Sequence, residues 1–272
     1  TDGLSFGTGT ADTPLTMEMW LRPDAMGSRG QLLGKWGETA NQEYRLFTLS
    51  NTIRLDLRDE SAGATVSAFT AVNLAGLTGG WHHLAVTYDG RGGASAADGI
   101  TFYIDGAAVP AARIGHAAYV AMENLAAPLQ VGREGPGWRQ YDGGLDDLRL
   151  WSVVRTPAQL LAAQTTELTG TESGLRGYWR FNEGTGTTVA GDGPADQPLT
   201  LSNTPLWGAG GPLAPDVTAP AITNVIVSNL TATGVIVAFQ TSEAATAWVR
   251  YTTTGACPCV DVPSAAAGTT HQ

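Results

Sequence analysis

The sequence predicts an all-β protein: an antiparallel β-sandwich with one short helix, followed by part of a second sandwich. Three observations point there. Short apolar–polar alternations recur along the chain, broken by Gly, Asn and Asp. The composition holds 35 Gly, 14 Pro and only 15% charged residues, which suits many turns and few long polar helices. Hydrophobic residues make up 43% of the 272, enough for a buried core and against disorder.

The elements follow in order. Residues 1–6 (TDGLSF) already read as an early strand, so the chain is expected to be a piece of a longer protein, and the lack of a leader says nothing of compartment. Residues 15–22 alternate strictly, and Pro23-Asp24 ends that strand. Ile53, Leu55 and Leu57 alternate with Arg54, Asp56 and Arg58, as in a strand with one side on water. Residues 81–90 (WHHLAVTYDG) and 102–106 (FYIDG) read as two antiparallel strands, each closing on a tight turn. His83, Ala85 and Thr87 point one way, and Leu84, Val86 and Tyr88 the other. Asp-Gly at both ends supplies the positive φ of a hairpin turn. Ile100, Phe102 and Ile104 repeat the alternation, as do Leu148 and Leu150 against Arg149 and Trp151. One helix stands out in residues 155–164 (RTPAQLLAAQ), with Thr156 as N-cap and Pro157 at the first helical position. It is expected to lie across the end of the sandwich.

Residues 208–220 lose all periodicity and read as a Gly/Pro linker. Strand patterns restart at 222–228, 234–240 and 246–252. Residues 221–272 fall well short of the roughly 100 residues of an immunoglobulin-like sandwich, so this second domain is expected to be cut off in mid-fold. The expected division is therefore a sandwich at 1–207, a linker at 208–220 and a partial sandwich at 221–272.

Charge narrows the function. A net charge of −10 offers no basic face for nucleic acid. It leaves carboxylates for a hard cation such as calcium. No apolar run approaches the about 20 residues of a spanning helix, so no membrane insertion is expected. Cys257 and Cys259 are too close for an ordinary disulfide with each other and too few for a structural zinc site, and read as a loop.

Several segments also carry a resemblance: residues 17–23 (MEMWLRP), 32–35 (LLGK), 81–90, 103–106 (YIDG), 144–151 (GLDDLRLW), 155–160 (RTPAQL) and 177–186 (GYWRFNEGTG). Together, and in this order, they resemble the LamG-like (laminin G type 3) domain over most of residues 1–213. The resemblance implies a concanavalin A-like jelly-roll β-sandwich, related to pentraxins. Residues 216–220 (DVTAP), 233–237 (TGVIV) and 242–251 (SEAATAWVRY) resemble the front half of a fibronectin type III or purple-acid-phosphatase N-terminal-like domain, which implies a spacer.

Candidate site residues follow. Counting along the strand puts Asp146 on the face of Leu148 and Leu150, pointing inward. An inward carboxylate must be paired, hydrogen-bonded or metal-bound. Two readings stand: a cap on loop amides, or a structural calcium ligand, which the resemblance to the lectin-like class implies and which Asp2 and Asp142 would complete. The loop 132–142 (GREGPGWRQYD) corresponds, by the same resemblance, to a pentraxin loop rich in calcium ligands, but here only Glu134 and Asp142 are acidic. Its Trp138 and Tyr141 could stack on a sugar ring or lid the sandwich edge. Glu134, Trp138 and Tyr141 are the candidate ligand-binding residues. His82 and His83 read as structural, since no Ser or Cys sits in a nucleophile-elbow context. Glu183 reads as turn chemistry.

Catalysis is not expected. Lectin-like glucanases place acids as E-x-D-x-E, and Asp56-Leu57-Arg58-Asp59-Glu60 fails that spacing. Residues 98–102 resemble a sialidase Asp-box, but its offsets do not line up. The expectation is a non-catalytic recognition module for a glycan or an extracellular protein, within a larger secreted or cell-surface protein. The alternative is a spacer that holds a catalytic domain outside this chain.

Overall fold

A computed structural model describes residues 3–135, 139–195, 197–202, 205–208, 211–212, 222–229, 231, 236–245, 248–251, 260–263 and 268–271. The chain divides into two compact units, Thr1–Ala214 and Pro215–Gln272.

The first unit is a sandwich of two six-stranded antiparallel sheets. Its strands are β1 (Leu15–Pro23), β2 (Gly30–Trp36), β3 (Gln42–Leu49), β4 (Thr52–Asp59), β5 (Ala64–Thr70), β6 (His82–Tyr88), β7 (Ile100–Ile104), β8 (Ala107–Val109), β9 (Ala111–Ile114), β10 (Leu129–Val131), β11 (Gly143–Trp151) and β12 (Leu175–Trp179). One sheet runs β12-β11-β1-β6-β7-β8 and the other β10-β2-β3-β4-β5-β9. The non-sequential order is that of a jelly roll, where long connections cross between sheets. A two-stranded ribbon of β13 (Thr188–Val189) and β14 (Leu199–Thr200) follows.

The alternation in the sequence builds the core. Met17, Met19 and Leu21 of β1 and Leu84, Val86 and Tyr88 of β6 face Ile53, Leu55 and Leu57 of β4 and Val66 and Ala68 of β5. Interdigitated inner faces of this kind bury apolar side chains at about 25 cal/mol per Å². Buried Asp12 pins the N-terminal segment by accepting from Tyr88 Oη at 2.6 Å, Tyr119 Oη at 2.9 Å and Met122 N at 2.7 Å.

Three local expectations change. Asp105-Gly106 does make a tight turn, with φ of 51° and 79°, but it joins β7 to β8. Strands β6 and β7 pair in antiparallel register through a longer connection that includes the 3-10 turn Ala96–Gly99. The helix α1 (Pro157–Ala163) has the anticipated cap, completed by Gln159 as a capping box. It does not lie across the sandwich end. It covers the outer face of the first sheet, where Ala163 O accepts from Arg149 Nη1 at 2.9 Å.

The third change is a bulge. Asp147 has φ of 49°, and the β1–β11 register slips between Glu18 and Trp20. Asp146 therefore stands opposite Trp20, and Arg149 opposite Glu18. Directly opposed residues share a face. Asp146 thus sits on the outer face with Trp20, whereas Leu148 and Leu150 enter the core. The inward orientation expected for Asp146 is corrected by this one extra residue.

The second unit holds a three-stranded sheet in the order β15 (Ile222–Ser228), β16 (Ile236–Ala245), β19 (Gly268–His271), and a ribbon of β17 (Trp248–Tyr251) with β18 (Val260–Pro263). Cys257 and Cys259 lie outside the described residues.

Candidate functional site

The strongest concentration of chemistry lies on the outer face of the second sheet. Arg45 on β3, Asp56 on β4 and Ser67 on β5 stand in one cross-strand row. Phe47, Arg54 and Phe69 form the next. The side chains of Glu134 and Arg139 reach these rows from chain seated along the edge of β2. Gln31 N donates to Arg139 O, and Tyr141 N to Gly132 O, both at 2.9 Å. Gly30 permits this seating, because a Cβ there would come within 2.8 Å of Tyr141 Cα.

Four guanidiniums meet two carboxylates on this face. Asp56, 1% exposed, takes Nε of Arg45 at 2.9 Å and its Nη2 at 2.8 Å on Oδ2. Its Oδ1 takes Arg54 Nε and Ser67 Oγ, each at 2.6 Å. Glu134 is buried among Arg29 at 2.9 Å, Arg45 at 3.5 Å and Arg139. Aromatic rings form the floor. Arg45 lies 3.8 Å from the Trp36 ring centroid, and Arg29 lies 4.5 Å from that of Phe47. Burial, then the neighbouring Arg45, lowers the Arg29 guanidinium to about 10, with Glu134 opposing the shift.

The ligand-binding residues read from sequence separate here. Glu134 joins the cluster and is held by arginines, which removes it as a free cation ligand. Tyr141 is half-buried, packs against the core, and has a buried hydroxyl with no hydrogen-bond partner among the described residues. Trp138 lies outside the described residues, as does Asp2. Sequence reasoning missed Arg29, Arg45 and Arg139. The legible signal was the alternation of Arg54, Asp56 and Arg58, taken as a face on water, whereas Asp56 is covered.

The proposed calcium residues do not converge. Asp142 is exposed, just before β11, and Asp146 is buried four positions on. Extended chain places such positions about 13 Å apart. One calcium holds its oxygens at about 2.3–2.6 Å, so these two carboxylates do not share an ion. Asp146 Oδ1 accepts from Asp147 N at 3.0 Å. A Cβ on Gly211 would sit 2.0 Å from its Oδ2. Burial, then the Asp147 charge, pushes Asp146 up to about 7. Among the described residues, no group of three or more His, Cys, Asp or Glu could hold a metal.

The outer face of the first sheet carries a second polar cluster, sealed under α1. Glu18 and His83 are 0% and 1% exposed and stand 3.6 Å apart. Arg149 donates to Ala163 O and Thr166 O and pairs with Asp147. Both oxygens of Glu18 lie within ion-pair range of a base, Oε2 of His83 and Oε1 of Arg155. His82 pairs with Asp105 at 2.8 Å at the rim. Glu183 Oε1 accepts from Ala190 N at 2.7 Å, a turn role.

No curated protein matches this sequence. Among solved structures, a Bacteroides ovatus protein described as carbohydrate binding aligns with a TM-score of 0.50 at 19% identity, covering 74% of this chain. The chain spans 57% of that protein's length. The LG4-5 domains of the mouse laminin α1 chain align at 0.36 and 18% identity, covering 54% of this chain and 36% of that one. The CBM40 of a Ruminococcus gnavus sialidase, bound to α2,3 sialyllactose, aligns at 0.41 and 13% identity, covering 56% and 82%. The first of these shows a shared fold. The family model Laminin_G_3, concanavalin A-like lectin/glucanases superfamily, matches residues 1–161, and the chain belongs to that family.

Proposed function

We propose that this chain is a non-catalytic recognition module that binds a glycan, carried in a secreted or cell-surface protein, with the second unit as a fibronectin-like spacer. The observation that carries this reading is how the outer-face carboxylates are used. Asp56 and Glu134 are each occupied by guanidiniums. They hold a layer of N–H donors in place, which is preorganisation for binding. A general acid or nucleophile needs a carboxyl with a free oxygen near its substrate. The carbohydrate-binding description of the Bacteroides ovatus protein supports the same ligand class.

The test is a glycan-array screen of residues 1–272, with calcium and with chelator. Glycan binding that survives chelation is the expected result. An array with no bound glycan would move the module to a protein ligand or to a spacer role. Release of reducing sugar from bound polysaccharide would make it an enzyme.

A further inference from the structure

We propose that the cluster of Arg29, Arg45, Arg54 and Arg139 is a subsite for an anionic group, a carboxylate or a sulfate ester, carried on an acidic polysaccharide. The polysaccharide part rests on the glycan reading above; the anionic part rests on the cluster itself.

Charge is the first argument. Four of the chain's 15 Lys and Arg residues gather around two carboxylates in a protein of net charge −10. The composition works against such an accumulation, and Asp56 and Glu134 neutralise only half of it. The positive excess is local and partly shielded from solvent, where screening is weakest.

Unused donors are the second argument. Arg54 spends Nε on Asp56 and Nη2 on Ser67, and Arg139 spends Nη1 on Glu134. Nη1 of Arg54 and Nη2 of Arg139 have no partner among the described residues. Nε of Arg29 is buried and also unpartnered. Gln31, opposite Phe47 on the same face, is fully buried with neither amide atom bonded among the described residues. Buried donors left open are costly, and an oxygen-rich anion satisfies several at once.

The rings of Trp36 and Phe47 are overlaid by guanidiniums at 3.8 and 4.5 Å, so they are not open platforms for a neutral sugar. Guanidinium groups make up the polar layer of this face, and their fork matches the paired oxygens of carboxylate and sulfate. The depressed Arg29 agrees: burial lowers it first, then Arg45 and Arg139, and an anion would relieve the part due to those two charges.

The experiment is titration calorimetry of the full chain with three polymers at low salt: polygalacturonate, dextran sulfate and neutral dextran. Variants R54Q and R139Q test the subsite. R54K keeps the charge, and R176Q removes an exposed arginine on β12 as a control. Melting curves of every variant show that it is folded. The expected result is binding to at least one acidic polymer, none to dextran, about 10-fold weakening by R54Q or R139Q, partial rescue in R54K and no change in R176Q. Polygalacturonate alone would identify carboxylate, and dextran sulfate alone sulfate. Dextran binding as tightly as the acidic polymers overturns the subsite and leaves the glycan reading standing. Equal weakening by R176Q and R139Q also overturns it, as bulk attraction. Absence of binding to any polymer overturns the subsite, and a blank glycan array would then remove the glycan reading as well.

Discussion

Arg45 meets Asp56 with two donors on one oxygen, Nε at 2.9 Å and Nη2 at 2.8 Å from Oδ2. Asp56 Oδ1 is filled by Arg54 and Ser67. This buried carboxylate is the centre that keeps two guanidiniums on the face. Removing its charge leaves Arg54 without this counter-ion and Arg45 with Glu134 alone, at 3.5 Å. D56N is expected to destabilise the first unit by about 3 kcal/mol. Urea unfolding of the variant and the parent measures it, and a loss below 1 kcal/mol would mean that Arg45 finds another partner.

The cap of α1 supports a separate prediction. Thr156 Oγ1 accepts from Gln159 N at 3.3 Å, and Gln159 Oε1 accepts from Thr156 N at 2.9 Å. T156A removes one half of this box and should cost about 1 kcal/mol. Because α1 seals Glu18 and Arg149, amide exchange of β1 and β11 should rise with it. Unchanged exchange there would show that the seal comes from residues 163–168 instead.

Much of the sandwich was legible because alternation is a local signal. Leu84, Val86 and Tyr88 face the core as their spacing requires, and Thr156-Pro157 starts the helix. Two things were not legible. The bulge at Asp147 rests on a positive φ at a non-glycine residue, and Asp adopts that conformation without a distinct sequence mark. It moved Asp146 to the other face. The arginine cluster assembles from β3, β4 and two connecting segments, so it exists only once β3 and β4 are in register. Asp56 looked solvated because nothing in the local pattern shows that Arg45, Arg54 and Ser67 close around it.

The Glu18–His83 pair predicts a specific pH dependence. Burial pushes Glu18 up to about 7, with Arg149 and Arg155 opposing. Burial, then Arg149, lowers His83 to about 4. Between about pH 4.5 and 6.5 the folded pair therefore holds one proton, on Glu18. The unfolded chain also holds one, on the imidazole, given ordinary values near 4.3 and 6.5. Equal proton counts give this pair no slope in stability across that window. In H83Q the unfolded chain holds none and the folded one still holds one, so stability must fall as pH rises. The deficit of H83Q relative to the parent should grow by about 1–2 kcal/mol from pH 4.5 to 6.5. A constant deficit would remove the lowered proton affinity assigned to His83, and an H83Q stability flat across this window would remove the protonation assigned to Glu18.

Asp146 separates a metal ligand from a buried acid. Its carboxyl stands up to about 7 through burial and the Asp147 charge. A carboxyl raised on folding contributes stability below its unfolded value, and that contribution is lost as pH climbs to the folded value. D146N keeps an oxygen for the Asp147 amide and removes the charge. It should match the parent at pH 4 and exceed it at pH 8, by on the order of 1 kcal/mol after allowance for partial solvent access. Chelator should leave the parent's melting temperature unchanged, because Asp142 lies about 13 Å along the strand. A calcium ion bound at Asp146 reverses both signs: chelator lowers the parent's melting temperature, and D146N becomes the less stable protein at pH 8, because a ligand carboxylate is stabilised ionised. Melting curves at the two pH values, with and without chelator, therefore assign the residue in one set of measurements.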